Sequence, residues 1–346
     1  MAITYEKSGV NIDNADATKR EIADILNKSG GLVVNKVGAF ASLIDVGFLK
    51  NYKHPYLVLK TEEPGSKQKL AIDNGKVENI CYDMINHLVN DIVVVGATPL
   101  TVQDAIICGK IDKDTVSGIV KYISEACTAN GCVLTGGETS EQPVVVENGT
   151  YILTSSVVGV VEKDDVIDGS KISEGDVVLA LASNGIHTNG YSFLRMMMRE
   201  DKELENTLID GERFIDVILK PHRSYYKELT PLFKNKNLVG MAHITGGGIA
   251  GNLNRILPDN LSAEIDISKI RTLPIFKFIK EKSKADDAEL LKTFNMGVGM
   301  TVVVKTGSQS EMIEYFSEKG LNSYEIGAVV KGDKTVIYKG KLNFAV

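Results

Sequence analysis

At 346 residues the chain is longer than one hydrophobic core usually organises, so two domains are expected. With 43% hydrophobic and 24% charged residues it has the composition of a soluble globular protein, which excludes a disordered or fibrous chain. Lys+Arg 39 against Asp+Glu 45 gives a net charge of -6 with no basic block, so nucleic acid is not an expected partner. Apolar runs such as Ile92–Val95 and Val157–Val161 are far too short to cross a bilayer, and Met1–Lys7 offers no apolar targeting segment. A cytoplasmic protein without membrane attachment is the default expectation. Cys81, Cys108, Cys127 and Cys132 contain no CxxC pair and read as reduced core thiols. The histidines form no HExxH or HxH pair, so a permanent transition-metal site is not expected.

In chain order, Tyr56–Thr61 reads as a strand and Asn79–Val95 as a long, mostly apolar helix closed by Gly96 and Pro99. Strand-like Leu100–Cys108 follows. Val116, Ile119, Val120, Ile123 and Cys127 fall at helical spacing, with Asp112 as N-cap and Asn130-Gly131 as the stop. Cys132–Thr135 predicts a short buried strand running into a Gly136-Gly137 turn, and Tyr151–Val161 another strand, so the first half suggests a mixed sheet with helices on one face. Across Glu162–Asp176 the apolar periodicity disappears, which puts a domain boundary there and divides the chain into 1–165 and 170–346. The second half predicts strands at Val177–Ala182, Val239–Ile244, Thr301–Val304, Tyr324–Val330 and Thr335–Tyr338. Helices are expected over Tyr191–Arg199, near Arg223–Phe233, after Gly246–Gly248 and over Ser310–Lys319, making an α/β domain.

Neither GxxxxGK[ST] nor a GxGxxG after the first strand occurs, so a P-loop or a dinucleotide fold is disfavoured. Thr245–Gly248 between a strand and a helix is instead a place where unblocked N–H groups could converge on a phosphate, or where glycines merely permit tight packing. Carboxylates stand in apolar surroundings at Asp91, within Leu88–Val95, and at Asp104. An unpaired buried carboxylate costs several kcal/mol, so a magnesium–nucleotide site, a lysine or backbone amides must offset the burial. Glu62, Glu63, Asp83 and Glu138 belong to the same group of acids. Met196–Met198 reads as core packing.

These clusters in this order resemble the phosphoribosylformylglycinamidine cyclo-ligase (aminoimidazole ribonucleotide synthetase) family, from Tyr5 to about Val330. The matching segments are Tyr5–Ile12, Gly38–Phe40, Leu70–Asp73, Val89–Ile92, Gly136–Thr139, Ser183–Ser192, His243–Gly248 and Thr293–Gly299. The resemblance implies a two-domain α/β (α+β) synthetase fold. Its N-terminal mixed sheet would form a barrel across a homodimer and bind ATP and Mg2+, and its C-terminal α/β sandwich would close the site. It implies a ligase of purine biosynthesis: ATP phosphorylates the formyl oxygen of formylglycinamidine ribonucleotide, the amidine-derived nitrogen attacks that carbon, and phosphate leaves. No covalent nucleophile is needed, so the protein chiefly positions anions and neutralises charge.

Carried onto this chain, the resemblance places ATP at Gly38, Phe40, Thr61, Gly65, Ser66, Lys67, Gly136 and Gly137, and metal at Glu62, Asp91 and Glu138. The ribonucleotide falls to Ser183, Asn184, Gly185, His187, Asn189, His243, Thr245, Gly246, Gly247 and Gly248, with His187, Lys67 and Asp104 as catalytic groups. One segment departs from the pattern: the family's Thr-Asp-Gly-Val-Gly-Thr-Lys is here Thr61, Glu62, Glu63, Pro64, Gly65, Ser66, Lys67. A longer carboxylate, an added charge and a lost backbone donor imply altered magnesium–nucleotide binding, with Glu62 and Glu63 acting together on metal. The glycine after Pro143 is also missing. A selenophosphate synthetase would need a reactive cysteine in its N-terminal loop, whereas the first here is Cys81. A thiamine-monophosphate kinase or hydrogenase maturation protein shares the scaffold but not segments 183–192 and 293–299 together. The altered loop also permits an inactive nucleotide-binding paralogue.

Overall fold

A computed structural model describes residues 21–26, 32–35 and 39–344. They fall into two compact units, one running to Asp164 and the other from Asp165, with Val93–Gly96 grouped with the second. In the first unit, strands β1 (Pro55–Glu62), β2 (Thr98–Cys108), β3 (Val133–Glu141) and β4 (Tyr151–Glu162) form a sheet in the order β1-β4-β2-β3. It is mixed, because β2 and β3 run parallel while the other pairs are antiparallel. A parallel pair needs a crossover, and the Lys113–Ala129 helix supplies it. Asp112 starts that helix by accepting from the Thr115 amide at 2.9 Å. Val116, Ile119, Val120, Ile123 and Cys127 are buried along one face, and the Val77–Val93 helix buries Ile80, Met84, Ile85, Leu88 and Ile92.

Two local expectations fail in this unit. Chain 136–141 is not a turn: β3 runs on through both glycines, held by a parallel ladder against Gln103–Cys108 that local sequence does not reveal. Lys67–Asp73 is a helix, so the supposed phosphate-facing loop ends at Ser66.

The second unit is built on a six-stranded sheet, order β12-β9-β11-β5-β10-β8. Its strands are β5 (Val177–Ala182), β8 (Leu238–His243), β9 (Leu261–Asp266), β10 (Val298–Val304), β11 (Ser323–Lys331) and β12 (Val336–Lys339). Only β12 and β9 are parallel. A small hairpin, β6 (Leu208–Ile209) with β7 (Glu212–Arg213), lies outside this sheet. Every residue of β8 and β10 is buried, which accounts for their mostly apolar sequences.

The helix expected near Arg223–Phe233 is reduced to Tyr226–Leu229 followed by a 3-10 turn at Thr230–Leu232, where Pro231 lacks the amide a longer helix needs. The helix after the triple glycine is short, ending at Leu253 and followed by a 3-10 turn over Asn254–Ile256. The Pro274–Ser283 and Asp287–Thr293 helices and β9 add elements that the sequence periodicity did not predict. No helix among the described residues is long and apolar enough to cross a membrane.

Candidate functional site

Three side-chain clusters emerge, two in the first unit and one in the second. A cavity of about 440 Å³ is lined by Phe40, Ser42, Gln103, Asp104, Gly136, Gly137 and Glu138, a volume that suits a small molecule. Its floor depends on a bulge: the β2/β3 register slips between Val102 and Gln103, leaving Thr135 unmatched. Beyond the slip Gly137 lies over Asp104, where an added Cβ would fall 2.1 Å from the carboxylate Oδ1, so no larger residue fits. Burial pushes the Asp104 carboxyl up to about 7, against the smaller opposing pull of its own amide. Asp104 can therefore hold or release a proton near neutral pH.

The second cluster is ionic. Alternation along β1 puts Lys60 and Glu62 on one sheet face, and the spacing of four along the Val77–Val93 helix puts His87 and Asp91 on one helix face. The Lys60 ammonium lies 3.0 Å from Asp91 Oδ2 and 3.5 Å from Glu62 Oε1, while His87 Nε2 is 3.3 Å from Glu62 Oε1 and 3.8 Å from Asp91 Oδ2. Burial raises the Glu62 carboxyl, and the charge on Asp91 adds to this, only partly offset by Lys60. For Lys60, burial alone would lower the ammonium, but Asp91 and Glu62 together leave it raised.

The expected nucleotide residues are thus divided. Phe40, Gly136 and Gly137 line the cavity with Asp104 and the exposed Glu138, so Glu138 stands apart from the expected metal ligands Glu62 and Asp91. Thr61 bonds Ser156 on β4 at 2.8 Å, Gly65 takes a left-handed conformation at φ 61° and Ser66 precedes the helix. Gly38 lies outside the described residues. Lys67 requires a correction: its side chain is wholly buried, with the ammonium 2.7 and 2.8 Å from the two oxygens of an equally buried Asp83. In this position it presents no ammonium to a nucleotide, and burial lowers its pKa despite Asp83.

In the second unit, His187 occupies a left-handed backbone conformation, φ 66°, at the centre of the loop after β5. Ser183 Oγ donates to the Gly185 carbonyl at 3.0 Å, and Asn295 Nδ2 donates to the carbonyls of Gly185 and Ile186. Two separated segments, 183–192 and 293–299, thereby meet. Gly299 makes room for this, since a Cβ there would sit 1.9 Å from Tyr225 Oη and 2.7 Å from His187 Cε1.

His222, absent from the expected site, joins the two histidines that were expected. Its ring stacks on His187 at 3.9 Å and its Nε2 lies 2.9 Å from His243 Nε2. All three rings are buried. Asn184 Oδ1 meets His187 Nε2 at 3.0 Å, and Asn189 approaches Gly246. The only sequence signal for His222 was its residue type, because the pairing spans 21 residues to His243 and 35 to His187. Lys60 and His87 were legible in principle, through the i+2 and i+4 spacings to Glu62 and Asp91.

The triple glycine is not the open donor array that the sequence suggested. The Gly247 amide donates to Lys292 O and the Gly248 amide to Thr245 O, both at 3.1 Å, and a Cβ on Gly248 would strike Leu291 O. Thr245 bonds Asn252, whose amide also donates to Gly246 O and Gly248 O. Two of the glycines therefore hold the helix in place, which leaves Thr245 and the exposed Gly246 as the accessible part of the turn.

Mixed sheets in two units carrying these clusters define a class. Residues 45–161 match the model of the AIR synthase related protein N-terminal domain, and 173–340 match that of the C-terminal domain. The chain is 40% identical over 330 residues to phosphoribosylformylglycinamidine cyclo-ligase from Burkholderia cenocepacia (strain HI2424), covering 95% of this chain and 93% of that protein. The same identity and span relate it to the enzyme of that name from Methylobacillus flagellatus, with 94% of the relative covered. The chain belongs to the phosphoribosylformylglycinamidine cyclo-ligase family. Its fold is shared more widely: thiamine-monophosphate kinase from Stenotrophomonas maltophilia K279a superposes with TM-score 0.70 at 14% identity, covering 93% of this chain and 97% of that one. HypE of E. coli does so with TM-score 0.70 at 15% identity, covering 96% and 97%.

Proposed function

We infer that the chain is an ATP-dependent cyclo-ligase that closes formylglycinamidine ribonucleotide to aminoimidazole ribonucleotide in purine biosynthesis. The observation that carries this reading is the identity of about 40% to enzymes of that name along 95% of the chain, a span that includes all three clusters. The side chains gathered there are carboxylates, imidazoles, amides and an ammonium, a set that orients anionic reactants and moves protons. A protein of the same fold, HypE, has a crystal structure in complex with ATP, at TM-score 0.65 and 15% identity over 96% of this chain and 92% of that one.

In this reading the first unit takes ATP, with Phe40, Gly136 and Gly137 around the cavity, Thr61, Gly65 and Ser66 beside the ionic cluster, and Asp104 as the proton-holding group. Glu62 and Asp91 suit Mg2+, because their hard carboxylate oxygens already converge on one cation. When bound, Mg2+ supplies charge neutralisation at the phosphates. Lys67 supports the Ser66 turn from inside the fold. The second unit takes the ribonucleotide through Ser183, Asn184, Gly185, His187, Asn189, His243, Thr245 and Gly246, with Gly247 and Gly248 shaping the turn.

A homodimer, with the first sheet completed by its partner into a barrel, is supported by β1: it is an edge strand, and Leu57 and Leu59 are 59% and 71% exposed on one face. Cytoplasmic residence accords with biosynthesis. Incubation of the protein with formylglycinamidine ribonucleotide, ATP and Mg2+ should yield one aminoimidazole ribonucleotide per ADP. ATP consumption without ring closure would sink the assignment, and sedimentation at micromolar concentration tests the dimer.

A further inference from the structure

We propose that Lys60 is a built-in counter-ion: it bridges Glu62 and Asp91 when no divalent cation is present, and competes with that cation for them. The proposal rests on the reading of Glu62 and Asp91 as a magnesium site and explains how this chain adapts it. The ammonium stands 3.0 Å from Asp91 Oδ2 and 3.5 Å from Glu62 Oε1, so one monovalent charge meets both candidate ligands. The carboxylates of Asp91 and Glu62 share one ammonium, and a cation placed between two like charges relieves their repulsion. The partner that completes the pair is Asp91 on the neighbouring helix, not Glu63, which is exposed beyond the end of β1.

The position of Lys60 makes the exchange feasible. Its side chain is 37% exposed, so the flexible stem can carry the ammonium into water. Lys67 has the same chemistry, yet it is walled in with Asp83 at zero exposure and has no such path. A divalent ion at the carboxylates would feel the nearby positive charge until Lys60 withdraws, and the cost of that withdrawal weakens binding. At water-like screening, one unit charge about 5 Å from a divalent ion is worth on the order of ten-fold in Kd. The altered magnesium–nucleotide binding expected from this segment is thereby assigned to Lys60.

The test is Mn2+ binding to the full chain, followed through the free-ion electron paramagnetic resonance signal, together with melting temperatures with and without Mg2+. Lys60→Met and Lys60→Gln should each bind Mn2+ roughly 3- to 10-fold more tightly than wild type. Each should melt lower than wild type without metal and gain more on adding Mg2+. Lys60→Arg, which keeps the charge, should retain the wild-type Kd. Equal Mn2+ affinity in wild type, Lys60→Met and Lys60→Gln would overturn the counter-ion proposal while leaving the metal site standing. No binding to any of them, with or without ATP, would overturn the metal assignment and the proposal with it. If Asp91→Asn bound Mn2+ as well as wild type, the ion would sit elsewhere, and the proposal would fall.

Discussion

The ionic cluster of the first unit and the histidine cluster of the second use different physics on groups of similar purpose. At Lys60, Glu62 and Asp91, formal charges meet at a partly open surface beside His87, where solvent and ions can intervene. At His187, His222 and His243 three rings are closed in by packing, and contact between two ring nitrogens requires one proton shared between them. The first arrangement should answer to salt and metal. The second should answer to shape and to the hydrogen bonding of a buried pair.

The comparison breaks most sharply at Lys67, which lies in the open unit but is enclosed like the histidines. Lys67→Met leaves Asp83 buried without its cation and should cost about 3–5 kcal/mol in urea unfolding, whereas an exposed pair costs ~1 kcal/mol or less. A loss below that lower figure would mean that the pair is solvated in solution. Asp91→Asn comes next: turnover should fall about 10²-fold with an unchanged circular dichroism spectrum, because the missing charge is the one that holds the metal. Near-normal turnover with unchanged magnesium dependence removes Asp91 from the site.

Asp104 sharpens the contrast through pH. Its carboxyl is raised from 3.8 to about 7, so the folded chain keeps a proton that the unfolded chain releases. The group is neutral for stability below about pH 4, costs progressively more as pH rises towards 7, and levels off above that. Asp104→Asn removes this cost, so its melting temperature relative to wild type should climb between pH 4 and pH 8. A constant difference across that range would show that the carboxyl ionises normally. The smallest effect belongs to His222→Ala, which should weaken ribonucleotide binding ~5-fold, about 1 kcal/mol, with little dependence on salt. Strong salt dependence would place this cluster in the open class after all.

Much of the fold could be read from local pattern. The Asp112 cap and the apolar face of the Lys113–Ala129 helix are local in sequence, and strand Val177–Ala182 is a short buried run with clear flanks. What could not be read depends on partners far along the chain. The continuation of β3 through Gly136 and Gly137 is imposed by β2, and the amides of Gly247 and Gly248 find acceptors at Lys292 and Thr245. Among site residues, the motifs gathered 183–189 into one loop, but the meeting of His187 and His243 through His222 exists only in the folded chain. Lys60 and His87 reach Glu62 and Asp91 through i+2 and i+4 spacings, which signal no shared cluster until the strand and the helix are placed side by side.

The enclosed Lys67–Asp83 pair also constrains how the sequence can drift. Losing either member alone strands a charge, whereas exchanging both for apolar residues of similar volume can be nearly neutral. Two positions separated by 16 residues therefore behave as one inherited character. A lineage could leave this state only by a double change, or after gaining enough stability elsewhere to survive the intermediate. Lys60 is held less tightly: it is partly exposed, so a single substitution there leaves Glu62 and Asp91 within reach of water and ions rather than stranding a fully buried charge.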